Sequence, residues 1–374
     1  MSDKKKPQYQ TIIDDILGRI RDRALKPGDK IPTDHELMEI YGVSRITVTR
    51  AINELVQRGI VYRVKKRGSF IREPMEQPAP GEQLPLGKLP ILSVVLPFDE
   101  RYGYDILRGV EQTCRESGYY MTFHCSGNEP EKEREILMRL QQDGVSGIIV
   151  YPHAGPENIG VYSDMLIRDI PFVLIDRQIE GIESASVLTD NSAGMYGVVS
   201  HLVELGHQRI AYVGLDPQET GSVKERFKGY CQALIDGGIP LRREYIVDAR
   251  RVDAPIIGTE WPELAQRLLG ELLALPEPPT AIAAVNDVTA VQFMKAAAVA
   301  DVPVPGRLSI TGFDNLPFCE HLEVPLTTVE QQFFEFGSQA ARMIIDGSWK
   351  RDGGLMTKRL TTRLIVRKSS APPF

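Results

Sequence analysis

The chain has 374 residues, 25 % charged and 42 % hydrophobic, with a formal net charge of −6. Such a chain is long enough for two or three globular domains with sizeable cores, and no apolar run approaches the length of a membrane span, which excludes a transmembrane helix. The 4 cysteines are scattered without a CxxC pair, which argues against disulfides and structural zinc and suits a reducing cytoplasm.

The charge is unevenly divided. Of the 44 Lys plus Arg and 50 Asp plus Glu, residues 1–74 hold 16 and 10, a balance of +6, and the rest hold 28 and 40, a balance of −12. A basic head on an acidic body is expected when only the head meets a polyanion. Lys4 to Lys6 have no apolar stretch behind them, so the start does not read as a secretory signal, and a cytoplasmic location is expected.

In chain order, the spacing of Tyr9, Ile12, Ile13, Ile16, Leu17 and Ile20 predicts a first helix over about 7–24. A turn at Pro27-Gly28 follows. Thr33 and Glu36 form a capping box that opens a second helix, which ends at Tyr41-Gly42. Ser44 then caps a third helix whose buried stripe is Val48, Ile52 and Leu55. Two helices joined by so short a turn make a helix-turn-helix, and its second helix enters the major groove. The other face of that helix carries Arg45, Thr47, Thr49 and Arg50, cations where the helix dipole disfavours them unless bound phosphates offset the penalty. Beyond Gly59 the pattern alternates, with Ile60, Tyr62 and Val64 on one face, a basic tip of Lys65, Lys66 and Arg67, and Phe70 on the return strand. This predicts a hairpin wing that can neutralise phosphates.

The string PGDKIPTDHELMEIYGVSRITVTRAINELVQRGIVYRVKKRGSFI resembles the winged-helix domain of the GntR family of bacterial transcription regulators. The resemblance implies DNA contacts from Thr33, Ser44, Arg45, Thr47, Thr49, Arg50, Lys65, Lys66, Arg67 and Gly68. Where such wings carry Gly-x-Gly at the tip, this chain has Lys66-Arg67-Gly68, which implies a wider turn.

Residues 73–90 contain five Pro and two Gly and read as an extended linker between a head over 1–72 and a body over 91–374. Within the body, β-rich runs (ILSVVL, YYMTFH, GIIVY, FVLI, RIAYV, AIAAV, LSIT) alternate with amphipathic helices at about 104–117, 131–143, 192–205, 223–237 and 288–299. Such alternation predicts βαβ units, hence parallel sheets covered on both faces, and the length favours two sheets with a ligand cleft between them. GxGxxG, HExxH and GxSxG are all missing from the sequence, and His201 and His207 are spaced too far apart to share a helix face. No enzyme, cofactor or metal is expected.

The strings YDILRGVEQTCRESGY, GVSGIIV, IPFVLIDR, TDN, HLVELGHQRIAYVG, RFKGYCQALIDGGIP, PPTAIAAVNDVTAVQFMKA, VPGRLSITGFDN and PLTTVEQ resemble, in order, the effector-binding domain of LacI/GalR-type repressors, a fold shared with periplasmic sugar-binding proteins. The resemblance implies three crossings between lobes, placed near Asp190, Asp314 and Glu330. One lobe is then expected over about 91–189 and 315–330, and the other over about 190–314 and 331–368. It implies effector contacts from Asp176, Arg226, Asn286, Asp287 and Asp314, with Arg177, Phe98, Tyr102 and Tyr104 beside them. Arg226 and Asp287 rank first, and Asp190 reads as a helix cap instead. A GntR-type head on a LacI-type body resembles the arabinose-responsive repressors of Gram-positive bacteria. The expectation is a cytoplasmic homodimeric repressor of operator DNA, switched by a sugar such as arabinose. An activator of the same architecture, or a sugar-binding protein that does not bind DNA, stays open.

Overall fold

In the computed structural model the chain divides into two units, residues 1–87 and 88–374. The structure describes residues 8–22, 24–26, 28–57, 60–64, 68–71, 89–97, 101–214, 221–248, 261–351 and 354–374. The wing tip Lys65 to Arg67, the loop residue Phe98 and nearly all of the expected linker therefore lie outside the described residues.

In the first unit, α1 (Gln8–Arg21), α2 (Asp34–Tyr41) and α3 (Arg45–Gln57) precede an antiparallel hairpin of β1 (Val61–Val64) and β2 (Gly68–Ile71). The apolar stripes meet in one core, with Ile12 and Ile13 of α1, Leu37 of α2, Val48, Ile52 and Leu55 of α3, and Val61 and Ile71 of the hairpin all buried. Thr33 caps α2 as a complete capping box, and Gly42 ends the helix in the left-handed conformation at φ 60°. The hairpin is backed by Lys30, which bridges Phe70, and by the hydrogen bond from Ile31 N to Ser69 O. This is a winged helix-turn-helix.

In the second unit a six-stranded sheet, all parallel, is ordered β15-β7-β6-β5-β3-β4. Its strands are β3 (Ile91–Leu96), β4 (Tyr120–Cys125), β5 (Gly147–Val150), β6 (Phe172–Ile175), β7 (Ser186–Thr189) and β15 (Thr357–Leu360). The central strands are buried on both faces, as expected of parallel strands between helix layers. One face is covered by α4 (Arg101–Glu116) and α11 (Phe333–Ile345), the other by α5 (Pro130–Asp143) and α6 (Ile159–Ile167).

A four-stranded parallel sheet, ordered β11-β10-β8-β9, forms the second lobe. It comprises β8 (Ile210–Gly214), β9 (Ile246–Asp248), β10 (Ala281–Ala284) and β11 (Ser309–Thr311). Helices α7 (Asn191–Glu204) and α8 (Gly221–Asp236) cover one face, and α9 (Trp261–Leu273) and α10 (Asp287–Val299) the other. The antiparallel pair β12 (Thr328–Glu330) and β16 (Arg363–Ile365) lies beside it, and a small hairpin of β13 (Lys350–Arg351) and β14 (Gly354–Leu355) precedes β15.

The path between lobes corrects the expected assignment. The chain crosses first after Thr189, where β7 of one lobe leads into α7 of the other, as placed near Asp190. It does not cross at Asp314, because Phe313, Leu316, Cys319 and Leu326 all stay in the cores of the second lobe. The second crossing lies between Glu330 and Phe333. Helix α11 packs in the first lobe against Ile106 and Val110 of α4. That contact is backbone-close: a Cβ on Gly337 would stand 2.0 Å from the Ile106 carbonyl oxygen, and one on Gly109 2.0 Å from that of Phe334. The third crossing follows Leu360, after which Ser369 accepts from Thr327 N and donates to the Ile310 carbonyl in the second lobe. Residues 315–330 thus belong to the second lobe and 333–360 to the first, the reverse of the expectation.

Candidate functional site

Two sites follow from this framework, one in each unit. On α3, Val48, Ala51, Ile52 and Leu55 face the core, which leaves Arg45, Ile46, Arg50 and Asn53 exposed. The Arg50 guanidinium lies over the Tyr9 ring, 4.2 Å from its centroid, so α1 orients it while its N–H edges stay accessible. Ser44 Oγ and Thr47 Oγ1 are 3.0 Å apart at the helix start. Thr33 is already engaged. Its hydroxyl accepts from Glu36 N, while its own N–H and hydroxyl both donate to the Glu36 carboxylate and hold that carboxyl below the ordinary range. Gly68 begins the return strand at φ 112°, where a side chain is strained, and a Cβ there would meet Lys30 Cε at 2.6 Å. Bare backbone at this position leaves room for the Lys30 side chain.

The second site gathers at the carboxyl ends of the body's two sheets, where open parallel sheets bind ligands. From the first lobe come Asp176 and Arg177, directly after β6, and Tyr151, directly after β5. Asp176 is 8 % exposed and sits at φ 63°, an unfavourable backbone for a residue with a side chain. Its carboxylate accepts from the Tyr151 hydroxyl at 2.5 Å and lies 3.9 Å from Arg177, whose guanidinium stacks over the Tyr151 ring at 4.9 Å.

From the second lobe comes Arg226 of α8, 7 % exposed. It donates to Asn191 Oδ1 at 2.7 Å and to the Val285 carbonyl at 2.8 Å, lies 3.5 Å from Asp314, and stacks on Phe313 at 3.8 Å. Asp314 has φ 122° and accepts from Gln331 Nε2 at 2.7 Å. Gln331 Oε1 in turn accepts from the Thr189 hydroxyl, so an unbroken polar chain runs from the end of β7 to Arg226 along the first two crossings. Burial pushes Asp314 up to about 7 against the pull of Arg226, and the fields of Asp287 and, from the first lobe, Asp176 add to the rise.

Asp287 proves different from its expected role. It is wholly buried, and its carboxylate accepts from Leu316 N, Cys319 Sγ and Thr328 Oγ1. Burial raises it to about 6 despite those bonds. The acid ties the start of α10 to residues 316–328, and its oxygens face protein on every side, so it supports the site from beneath and does not present itself to a ligand. Asn286 caps α10 through Oδ1, which accepts from Thr289 N at 2.8 Å. Asp190 caps α7, accepting from Ala193 N at 3.0 Å. Tyr102 lies in the first turn of α4, its side chain outside the described residues, and Tyr104 is exposed. Tyr151, Asn191 and Gln331 escaped sequence reading. The VEQ string contains Gln331, yet only the register that sets Glu330 beside Asp314 brings it into the site.

Comparison with known proteins agrees with this division. Residues 8–71 match the gntR family of bacterial regulatory proteins, and residues 199–370 match the periplasmic binding protein-like domain. The arabinose metabolism transcriptional repressor of Geobacillus stearothermophilus is 30 % identical over 350 residues, covering 92 % of each chain. That of Halalkalibacterium halodurans is 30 % identical over 375 residues, covering 97 % of this chain and 96 % of its own. A LacI family transcriptional regulator from Enterococcus faecium, solved with bound ribose, superposes with a TM-score of 0.61 at 25 % identity, covering 75 % of this chain and 99 % of that one. The chain therefore belongs to the bacterial transcriptional repressors that join a gntR-family winged helix-turn-helix to a periplasmic-binding-protein-like effector domain.

Proposed function

We propose that this protein is a cytoplasmic, homodimeric repressor that holds operator DNA through its winged heads and releases it when a neutral monosaccharide binds between the lobes of its body. The observation that carries the effector reading is the pairing of charges in the cleft. Arg226 lies beside Asp314, and Arg177 beside Asp176. A phosphorylated sugar would need an unneutralised cation, whereas a polyol offers paired hydroxyls to carboxylates and guanidinium groups already set in place. Arabinose or another pentose is the first candidate, supported by the names of the two relatives. Release follows if the ligand favours a closed body over the geometry that suits DNA, since a ligand shifts states by its differential affinity alone. The dimer rests on symmetry, because an isologous pair presents two heads to a pseudo-palindromic site. The outer edge of the six-stranded sheet, β4, also exposes Tyr120 and Phe123, as a pairing surface would. The test is a thermal-shift screen against pentoses, hexoses and their phosphates. A neutral sugar that stabilises the protein and weakens its hold on duplex DNA upholds the reading, while stabilisation by phosphorylated sugars alone overturns it.

A further inference from the structure

Ile46, the second residue of α3, is 82 % exposed in a helix whose Val48, Ala51, Ile52 and Leu55 are all at 0 %. Isolated apolar residues are ordinary on protein surfaces, and Ile167 in the body is as exposed, so exposure alone means little. What distinguishes Ile46 is its company. It follows Arg45 in the first turn, and helical spacing brings Thr49, Arg50 and Asn53 onto the same side, three, four and seven residues on. Arg45, Arg50 and Asn53 are exposed as well. This is the end and the face of the helix that a helix-turn-helix presents to base edges.

The side chain itself narrows the partner. An aliphatic group neither donates nor accepts a hydrogen bond, and the major-groove edge of the bases offers one apolar partner, the C5-methyl of thymine. Isoleucine suits this contact because its branched Cβ is confined to few rotamers in a helix, so little side-chain freedom is lost on docking. The guanidinium groups on either side supply attraction to phosphate, which positions the helix without reading sequence. We propose that Ile46 is a specificity-determining residue that selects a thymine in each half-site through its methyl group. The proposal rests on the DNA-binding reading of the head and adds a base to it.

The test uses the full-length protein. Duplexes are selected from a random pool with wild type, Ile46→Val and Ile46→Ser, and each thymine in the wild-type sites is then replaced by deoxyuridine, which lacks only the methyl. One such replacement is expected to weaken wild-type binding about fourfold, the factor for losing burial of one CH2-sized group. Ile46→Val keeps most of that sensitivity. Ile46→Ser loses it, while its melting temperature stays that of wild type because the side chain packs against nothing in the core. A wild-type protein that binds its selected duplex yet is indifferent to every uracil overturns the thymine assignment alone, as does equal sensitivity in Ile46→Ser. A pool that yields no bound duplex overturns the assignment together with the DNA-binding reading beneath it.

Discussion

Arg226→Met tests the hub of the proposed effector site. The arginine donates to two buried acceptors, Asn191 Oδ1 and the Val285 carbonyl, and lies beside Asp314. Methionine keeps much of the packing on Phe313 but leaves both acceptors without their donor, and an orphaned buried acceptor costs about 1–3 kcal/mol. A loss of roughly 2–6 kcal/mol follows from those two groups. The third interaction gives the loss a pH signature. Asp314 is held at about 7 with Arg226 pulling it down. Because that lies above its value in the unfolded chain, its contribution to stability is complete at low pH and disappears as pH rises through about 7. Removing Arg226 moves the folded-state value higher still, so the contribution of Asp314 goes on falling in the variant after it has levelled off in wild type. The gap between the two proteins should therefore widen from pH 6 to pH 9, by up to about 1.4 kcal/mol for each pH unit past the wild-type midpoint. Both tryptophans, Trp261 and Trp349, lie in the body, so urea titration followed by tryptophan fluorescence reads that unit alone. Adding Asp314→Asn, which tolerates positive φ and keeps an oxygen for Gln331, should abolish the widening. A loss below about 1 kcal/mol, or a gap that stays constant with pH, would refute the reasoning.

Three further outcomes follow from the same geometry. Tyr151→Phe removes an internal hydrogen bond to the Asp176 carboxylate, so the body should lose about 1.5–3 kcal/mol, read from the urea midpoint, and with Asp176 no longer oriented calorimetry should find weaker effector binding. Gly337→Val drives a Cβ into the Ile106 carbonyl oxygen, and prising α11 from α4 should cost about 1–3 kcal/mol, read from the urea midpoint. Arg45→Ala should weaken binding to every duplex and lower the salt dependence, log Kd against log salt, by about 0.9 for each phosphate left unneutralised.

The parts of this protein that depend on neighbours in the chain were legible in its sequence. The Thr33–Glu36 capping box, the left-handed Gly42, the buried stripe of α3 and the cap at Asp190 each need no more than eight consecutive residues to specify them. Sheet class was legible for the same reason, since alternating strands and helices leave a parallel arrangement as the ready solution. What eluded sequence reading was set by distance. Nothing local tells α11 to join α4 more than two hundred residues earlier, and their close approach depends on small residues at Gly109 and Gly337 that look unremarkable in one dimension. Asp287 follows an apolar strand as a ligand-binding acid would, and only the return of residues 316–328 over it turns it into an anchor. Gln331 and Tyr151 were missed because an amide and a phenol acquire meaning from the carboxylates they meet, Asp314 and Asp176.

The claim that joins the two units is that a sugar in the body governs the grip of the head. It is tested most directly by fluorescence anisotropy of a labelled duplex, selected for tight binding, titrated with full-length protein with and without a saturating concentration of the sugar that stabilises it. An increase in Kd of tenfold or more, absent in Arg226→Met, is the predicted result. Equal affinity with and without bound sugar would contradict it.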